Sequence, residues 1–185
     1  MIDETLLDAI DKMEKAVEHV QVQFSTVRTG RAAPALVEKL LVHYYGTEVP
    51  LQQLAGFSVP EARLLVVRPH DRNSMGAIEK AIRASDLGLN PANDGKVIRI
   101  PIPSLTDERR KELSRHVHKQ AEEGRNVVRQ VRRDANERLK KLLKEHKVSE
   151  DDERKGLEQV QKMTDEHVKT IDELQKKKDQ ELLGH

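Results

Sequence analysis

The stretch TDERRKELSRHVHKQAEEGRNVVRQVRRDANERLKKLLKEHK, residues 106–147, has the pattern of one long amphipathic helix. At about 100° per residue, its apolar side chains fall within roughly 40° of one direction. These residues are Leu113, Val117, Ala121, Val128, Val131, Ala135, Leu139 and Leu142. This side of the helix is therefore predicted to face a core.

Four arginines follow the same helix at steps of four, three and one: Arg125, Arg129, Arg132 and Arg133. They lie about 70° to 170° from the apolar direction, in one rotational sense, and Arg115, His118, Asn136 and Lys140 join them to form what we call the arginine face. Most acidic residues take the opposite flank, with Glu122 as the exception. A row of guanidinium groups on one side predicts a surface that binds phosphates. A solvated charged face explains this helix equally well.

The composition favours long helices over large globular cores. Charged residues make up 35% of the 185 residues, and the chain contains two Tyr, two Phe and no Trp. The absence of Cys excludes disulfides and Cys-type zinc sites, and it favours a reducing compartment. The sequence begins without a signal-peptide pattern and contains no apolar run of about 20 residues. We therefore expect a cytoplasmic protein that does not bind membranes.

Two further helices are predicted at the ends of the chain. Apolar residues from Leu6 to Val27 alternate steps of four and three, which indicates a first helix over residues 2–28 that ends at Thr29 and Gly30. Residues 148–152 read as a turn, and a looser apolar seam follows them to residue 182. Because none of the three apolar stripes can be buried alone, the helices should form a three-helix bundle.

Between the first and second helices, the pattern changes to short strands. Strands are predicted at residues 40–45, 64–67 and 97–100, and one amphipathic helix at residues 74–85. The sequence thus predicts an α+β fold with a discontinuous three-helix-bundle domain, residues 1–30 plus 105–185, and an inserted small α/β domain, residues 31–104. Paired connections between domains favour hinge motion, and the expected hinge residues are Thr29, Gly30, Pro103, Ser104, Leu105 and Thr106.

Six blocks of sequence together resemble bacterial ribosome recycling factors. The blocks are VRTGRA at residues 27–32, YYGT at 44–47, PLQQL at 50–54, EKAIRASDLGLNP at 79–91, LTDERRKEL at 105–113 and VRRDAN at 131–136. They lie in both predicted domains and span both connections, so the resemblance covers essentially the whole chain. It implies an L-shaped protein, roughly of the outline of transfer RNA, with a bundle arm and an α/β arm. It also implies a function: binding the ribosome after peptide release and separating its subunits with elongation factor G and GTP.

The resemblance further implies that arginines bind large-subunit ribosomal RNA. Matched position by position, they are Arg28, Arg31, Arg110, Arg129, Arg132 and Arg133. Other interpretations remain open for some of them: Arg28 and Arg31 would be solvated beside a helix end, and Arg132 would pair with a glutamate inside the bundle. No compact motif marks the contact with elongation factor G, which we expect in the region around the two connections.

The sequence gives no support for an enzyme or a metal site. His116 and His118 diverge by about 160° on a helix and cannot readily share a metal. No Gly-x-x-x-x-Gly-Lys-Ser/Thr loop is present, so GTP is expected to be used by the partner and no cofactor by this chain. We expect a monomer that does not bind DNA. A coiled-coil adaptor would explain only the apolar seams, and a general RNA-binding protein only the arginine face.

Overall fold

Helices dominate the structure, a computed structural model that describes residues 1–183. The helices are α1 (Ile2–Ser25), α2 (Leu51–Leu54), α3 (Met75–Ala84), α4 (Asp107–Lys144) and α5 (Glu150–Leu182). The strands are β1 (Leu41–Tyr44), β2 (Thr47–Pro50), β3 (Ala55–Glu61), β4 (Leu64–Pro69), β5 (Ala92–Asn93) and β6 (Ile98–Pro101). Short 3₁₀ helices lie at Pro34–Leu36 and Arg72–Ser74. Three long helices and a small β-rich region confirm the predicted α+β class.

The described chain divides into two compact units. The helical unit comprises Met1–Val27 and Asp107–Leu183, and the α/β unit comprises Arg28–Thr106. The division therefore falls a few residues away from residues 30 and 105, where the sequence-based domain boundaries were drawn.

Helix α1 ends earlier than its apolar pattern suggests. The hydroxyl groups of Ser25 and Thr26 donate hydrogen bonds to the Val22 and Gln23 carbonyl oxygens, over 2.6 Å and 2.7 Å. The Thr26 backbone N–H also bonds to the Gln23 oxygen, as in a tightened 3₁₀ turn. Because these groups occupy the last carbonyls, the helix stops at Ser25 and does not reach residue 28.

The junction between α4 and α5 shows why the long helix ends at Lys144 and not at residue 147. His146 takes a φ of 57°, while its N–H bonds to the Leu143 oxygen and the Lys147 N–H bonds to the Leu142 oxygen. This is the hydrogen-bond pattern of a Schellman motif. Ser149 then starts α5 with a capping box, in which its hydroxyl oxygen accepts from the Asp152 N–H at 3.0 Å.

Glycines set the spacing of the bundle. A Cβ atom at Gly124 of α4 would lie 2.4 Å from Cγ2 of Val20 in α1, and one at Gly156 of α5 would lie 3.1 Å from Leu139. Although a glycine weakens an isolated helix, Gly124 is therefore the residue that lets α1 pack closely against α4. The helices bury the predicted seams, including Val117, Val128 and Leu139, which are fully inaccessible to solvent.

The α/β unit contains a β1–β2 hairpin and a four-stranded antiparallel sheet with the order β3-β4-β6-β5. Buried residues alternate along the central strands, where Leu65 pairs with Ile100 and Val67 with Ile98. Helix α3 contributes Ile78 to the same core. The three predicted strands correspond to β1, β4 and β6, whereas β2, β3 and β5 were not predicted.

Candidate nucleic-acid interface on helix α4

The arginines of the arginine face of α4 differ in their burial and in their hydrogen-bond partners. Arg125 is only 7% exposed and belongs to the contact between α4 and α5. Its Nε donates to Glu122 Oε2 at 2.9 Å, and its Nη1 donates to Asp172 Oδ1 at 2.8 Å and Gln175 Oε1 at 3.0 Å. The expectation that Arg125 faces phosphates was wrong, because α5 places acceptors opposite it.

Arg129, one turn further along α4, is partly exposed and shares an acid with Arg125. Its Nη1 donates to Glu122 Oε1 at 3.2 Å and to Asn126 Oδ1 at 3.3 Å. The hydrogen bond from Arg125, together with the charge of Arg129, lowers the pKa of Glu122 below its usual value of 4.5. Glu122 is therefore ionised at neutral pH and links the two guanidinium groups.

Arg132 and Arg133 form the open part of the face. Among residues 1–183, none forms a hydrogen bond or ion pair with the side chain of the half-buried Arg132, so the alternative of a glutamate pair within the bundle is not found. Exposed Arg133 donates to Gln130 Oε1 at 2.7 Å, and Gln130 in turn donates to Asp134. Neither guanidinium group is therefore directly bound to a carboxylate in the described chain.

The other predicted arginines lie away from the middle of α4. Arg110, in the first turns of the helix, approaches Asp107 at 3.5 Å, and its buried Nε has no acceptor within residues 1–183. Arg28 and Arg31 belong to the α/β unit, where they line a cavity of about 150 Å³. The Nε of Arg31 is likewise buried without an acceptor in the described part of the chain.

The expected hinge residues are held by contacts that the sequence pattern did not reveal. Gly30 takes a φ of 77°, and a Cβ there would lie 3.3 Å from Cγ of Leu105 in the other connection. Arg63, in the turn between β3 and β4, donates from Nη1 to the Ser104 hydroxyl. Its carbonyl accepts from the Ile102 N–H at 2.8 Å. Nothing in the spacing of the sequence singled out Arg63.

The tyrosine pair at the β1–β2 turn divides into an anchor and an exposed ring. The Tyr44 O–H donates to Asp71 Oδ2 at 2.8 Å, and this hydrogen bond raises the pKa of Tyr44 to about 12. Tyr45 is 78% exposed and takes a φ of 50° beside Gly46. Only Tyr44 is therefore explained by packing.

Residues 1–183 contain no group of three or more His, Cys, Asp or Glu side chains placed to hold a metal ion. None of the helices over the same residues is sufficiently long and apolar to cross a membrane. The fold and the α4 surface define a class of protein: a three-helix bundle with an inserted α/β unit whose distinctive surface is a row of guanidinium groups.

Comparison with known proteins identifies the family within this class. The family described as ribosome recycling factor matches residues 20–183. The ribosome-recycling factor of Kocuria rhizophila is 57% identical over 152 residues, which cover 82% of each chain. That of Carboxydothermus hydrogenoformans is 55% identical over 152 residues, again 82% of each.

Solved structures agree with this assignment. A solution structure of the ribosome recycling factor matches all of this chain and 98% of its own, with a TM-score of 0.77 and 43% identity. The T. thermophilus ribosome recycling factor, with E. coli elongation factor G bound to the E. coli post-termination complex, matches over the full length of both chains at a TM-score of 0.68 and 48% identity. This chain belongs to the ribosome recycling factor family. The family consists of non-enzymatic translation factors, which confirms the prediction that the chain is not an enzyme.

Proposed function

We propose that this chain binds the post-termination ribosome and, with elongation factor G and GTP, promotes its dissociation into subunits. Family membership supports this proposal, as does the relative from T. thermophilus seen with elongation factor G on a post-termination complex. In this proposal GTP is used by elongation factor G, this chain needs no cofactor, and the protein acts as a monomer in the cytoplasm.

The observation that carries the proposal is the guanidinium of Arg132, which is unpaired among residues 1–183 and lies beside Arg129 and Arg133. An arginine without a carboxylate partner can bind a phosphate without first breaking an ion pair. Each phosphate that is neutralised in this way releases a counterion, which contributes affinity for nucleic acid at low salt. We therefore propose large-subunit ribosomal RNA as the main ligand of this part of α4.

Three further arginines extend the proposed RNA contact. Arg28 is exposed and has no carboxylate partner within residues 1–183. Arg31 and Arg110 each have a buried Nε without an acceptor in that same range. A buried N–H without an acceptor costs stability, so we propose that these two side chains move on binding and bring their guanidinium groups into contact with a phosphate oxygen.

The same proposal assigns flexibility to the two connections between residues 1–30 plus 105–185 and residues 31–104. Gly30 reaches its positive φ at little cost, whereas Pro103 restricts the return segment. Bending would then concentrate at Thr29 and Gly30 on one connection and at Ser104, Leu105 and Thr106 on the other. We propose that this bending is needed for subunit separation and not for binding.

Ribosome binding by Arg132→Ala tests the proposal directly. Loss of one phosphate contact should weaken binding and make the plot of log affinity against log salt less steep by about one unit. Arg138→Ala is the matched control, because Arg138 lies on the same helix but pairs with Asp8 of α1 at 3.1 Å. It should bind like the original protein.

Two results would contradict the proposed RNA contact. One is an Arg132→Ala protein that is folded by circular dichroism and keeps both the affinity and the salt dependence. The other is displacement of the protein from ribosomes by an equal mass of unrelated RNA, which would indicate general RNA binding.

A further inference from the structure

We propose that Glu122 and Arg125 are positioning residues that hold the Arg129 guanidinium in the orientation needed to bind a phosphate through two hydrogen bonds. This inference rests on the proposed function, since it concerns how the arginine face meets RNA. It assigns a role in RNA recognition to the acidic Glu122 and the buried Arg125, neither of which contacts the RNA itself.

The first step is the way in which Arg129 is held. Both of its hydrogen bonds use one nitrogen, Nη1, which donates to Glu122 Oε1 and Asn126 Oδ1. The Nε and Nη2 groups on the other side of the guanidinium have no acceptor among residues 1–183. These two groups form the fork that binds a phosphate with two parallel hydrogen bonds. The contacts at Nη1 thus fix the side chain and leave its phosphate-binding edge open.

The second step is the way in which Glu122 is itself fixed. A glutamate with 44% of its side chain exposed would ordinarily sample several rotamers. Here its second oxygen accepts from Nε of Arg125, whose side chain is 8% exposed and bound to Asp172 of α5. The position of Arg129 is therefore linked, through Glu122 and Arg125, to the packed contact between two long helices.

The third step is the charge of Glu122. A carboxylate on a surface that binds phosphates reduces the attraction, and Glu122 is the acidic residue that the helical pattern places on the arginine flank. A positioning role explains why a negative charge is present there: it orders Arg129 in the free protein, so that less side-chain freedom is lost on binding. Arg132, by contrast, has no such contact with the described chain.

Glu122→Asp tests this inference with the net charge unchanged. The shorter side chain cannot reach Arg125 and Arg129 together, so affinity for ribosomes should fall about threefold to tenfold. The matched control is Glu123→Asp, since Glu123 is the adjacent exposed glutamate and its side chain makes no hydrogen bond with residues 1–183. It should leave affinity unchanged.

A double-mutant cycle separates positioning from a general structural effect. In an Arg129→Ala background, Glu122→Asp should cause no further loss of affinity. The heteronuclear ¹⁵N NOE of the Arg129 Nε–H should also decrease in the free Glu122→Asp protein. An equal loss of affinity in both backgrounds, or an unchanged NOE, overturns the inference.

The remaining outcomes distinguish this inference from the proposed function. If Arg132→Ala weakens ribosome binding and Glu122→Asp does not, the RNA contact stands and the positioning role is wrong. If neither Arg132→Ala nor Arg129→Ala changes binding, the RNA contact itself is wrong and the positioning role fails with it.

Discussion

Residues 122–129 and residues 132–140 of α4 carry similar cationic side chains on one flank of a single helix, but their surroundings differ. In the first segment, Arg125 is buried and bound to Asp172 of α5. In the second, Arg132 has no partner within residues 1–183. The angle of an arginine on a helical wheel therefore does not decide whether its charge is available to bind a phosphate. What decides it is whether the facing helix places an acceptor opposite the arginine.

The first segment also contains the closer of the two glycine contacts in the bundle. Gly124 lies against Val20, and next to it Arg125 bonds to Gln175. The first segment thus meets both α1 and α5 and is part of the scaffold. The second segment carries Arg132 and Arg133, which we propose to contact RNA together with Arg129 at the end of the first segment.

The largest expected effect on stability comes from a substitution in the first segment. Arg125→Ala should lower the free energy of unfolding by about 3 kcal/mol, because three hydrogen bonds to charged or polar acceptors and the packing of a buried side chain are lost. Arg132→Ala, in the open segment, should change it by less than about 0.5 kcal/mol. Urea denaturation followed by circular dichroism measures both values. Equal losses for the two variants would show that the segments do not differ in the way described.

A somewhat smaller effect is expected at the close contact between helices. Gly124→Ala introduces a Cβ 2.4 Å from Cγ2 of the buried Val20, so the unfolding free energy should fall by about 1 to 2 kcal/mol despite the better helix propensity of alanine. Gly76→Ala in α3 is the control, since nothing lies within 4 Å of its Cβ position. That variant should be unchanged or slightly more stable by the same denaturation assay, and a stable Gly124→Ala protein would argue against a tight crossing.

The smallest expected effect concerns Glu122, the acid that links Arg125 to Arg129 within the first segment. Because the folded-state pKa of Glu122 lies below 4.5, its contribution to stability is complete above that pH and is lost as the pH falls through the folded-state value. With 44% of the side chain exposed, the contribution should stay below about 1 kcal/mol.

Unfolding measured from neutral to acidic pH should therefore show Glu122→Gln less stable than the original protein at neutral pH, with the difference disappearing in acid. Glu123→Gln serves as the control and should show no such convergence. Parallel stability curves for Glu122→Gln and the original protein would exclude the ion pairs as a source of stability.

Much of the helical unit could be predicted from the sequence, because a regular apolar period over dozens of residues leaves little choice of structure. The ends of the helices were harder to predict from the sequence. Nothing in the composition of the last turn predicts that His146 adopts a positive φ, or that Ser25 and Thr26 bond back to the chain. These are local hydrogen bonds that compete with helix continuation.

The α/β unit and the candidate site were predicted only in part, for a common reason. Strand β3 is mainly exposed from Ser58 to Glu61 and includes Pro60, so it lacks the apolar alternation that marks β4. The burial of Arg125 likewise depends on which turn of α5 faces α4. Pairing between distant segments decides both features, and periodicity along one segment does not contain that information.

The discontinuous helical unit also has a consequence for how the protein is made. Helix α1 is synthesised before its partners α4 and α5, which follow only after the whole of Arg28–Thr106. At about 5 to 20 residues per second, the delay is on the order of ten seconds. During that time Met13, Val20 and Phe24, which are almost completely buried in the finished bundle, have no helix to pack against. Helix α1 therefore leaves the ribosome well before the helices that bury it, and until α4 emerges its apolar side is open to chaperones.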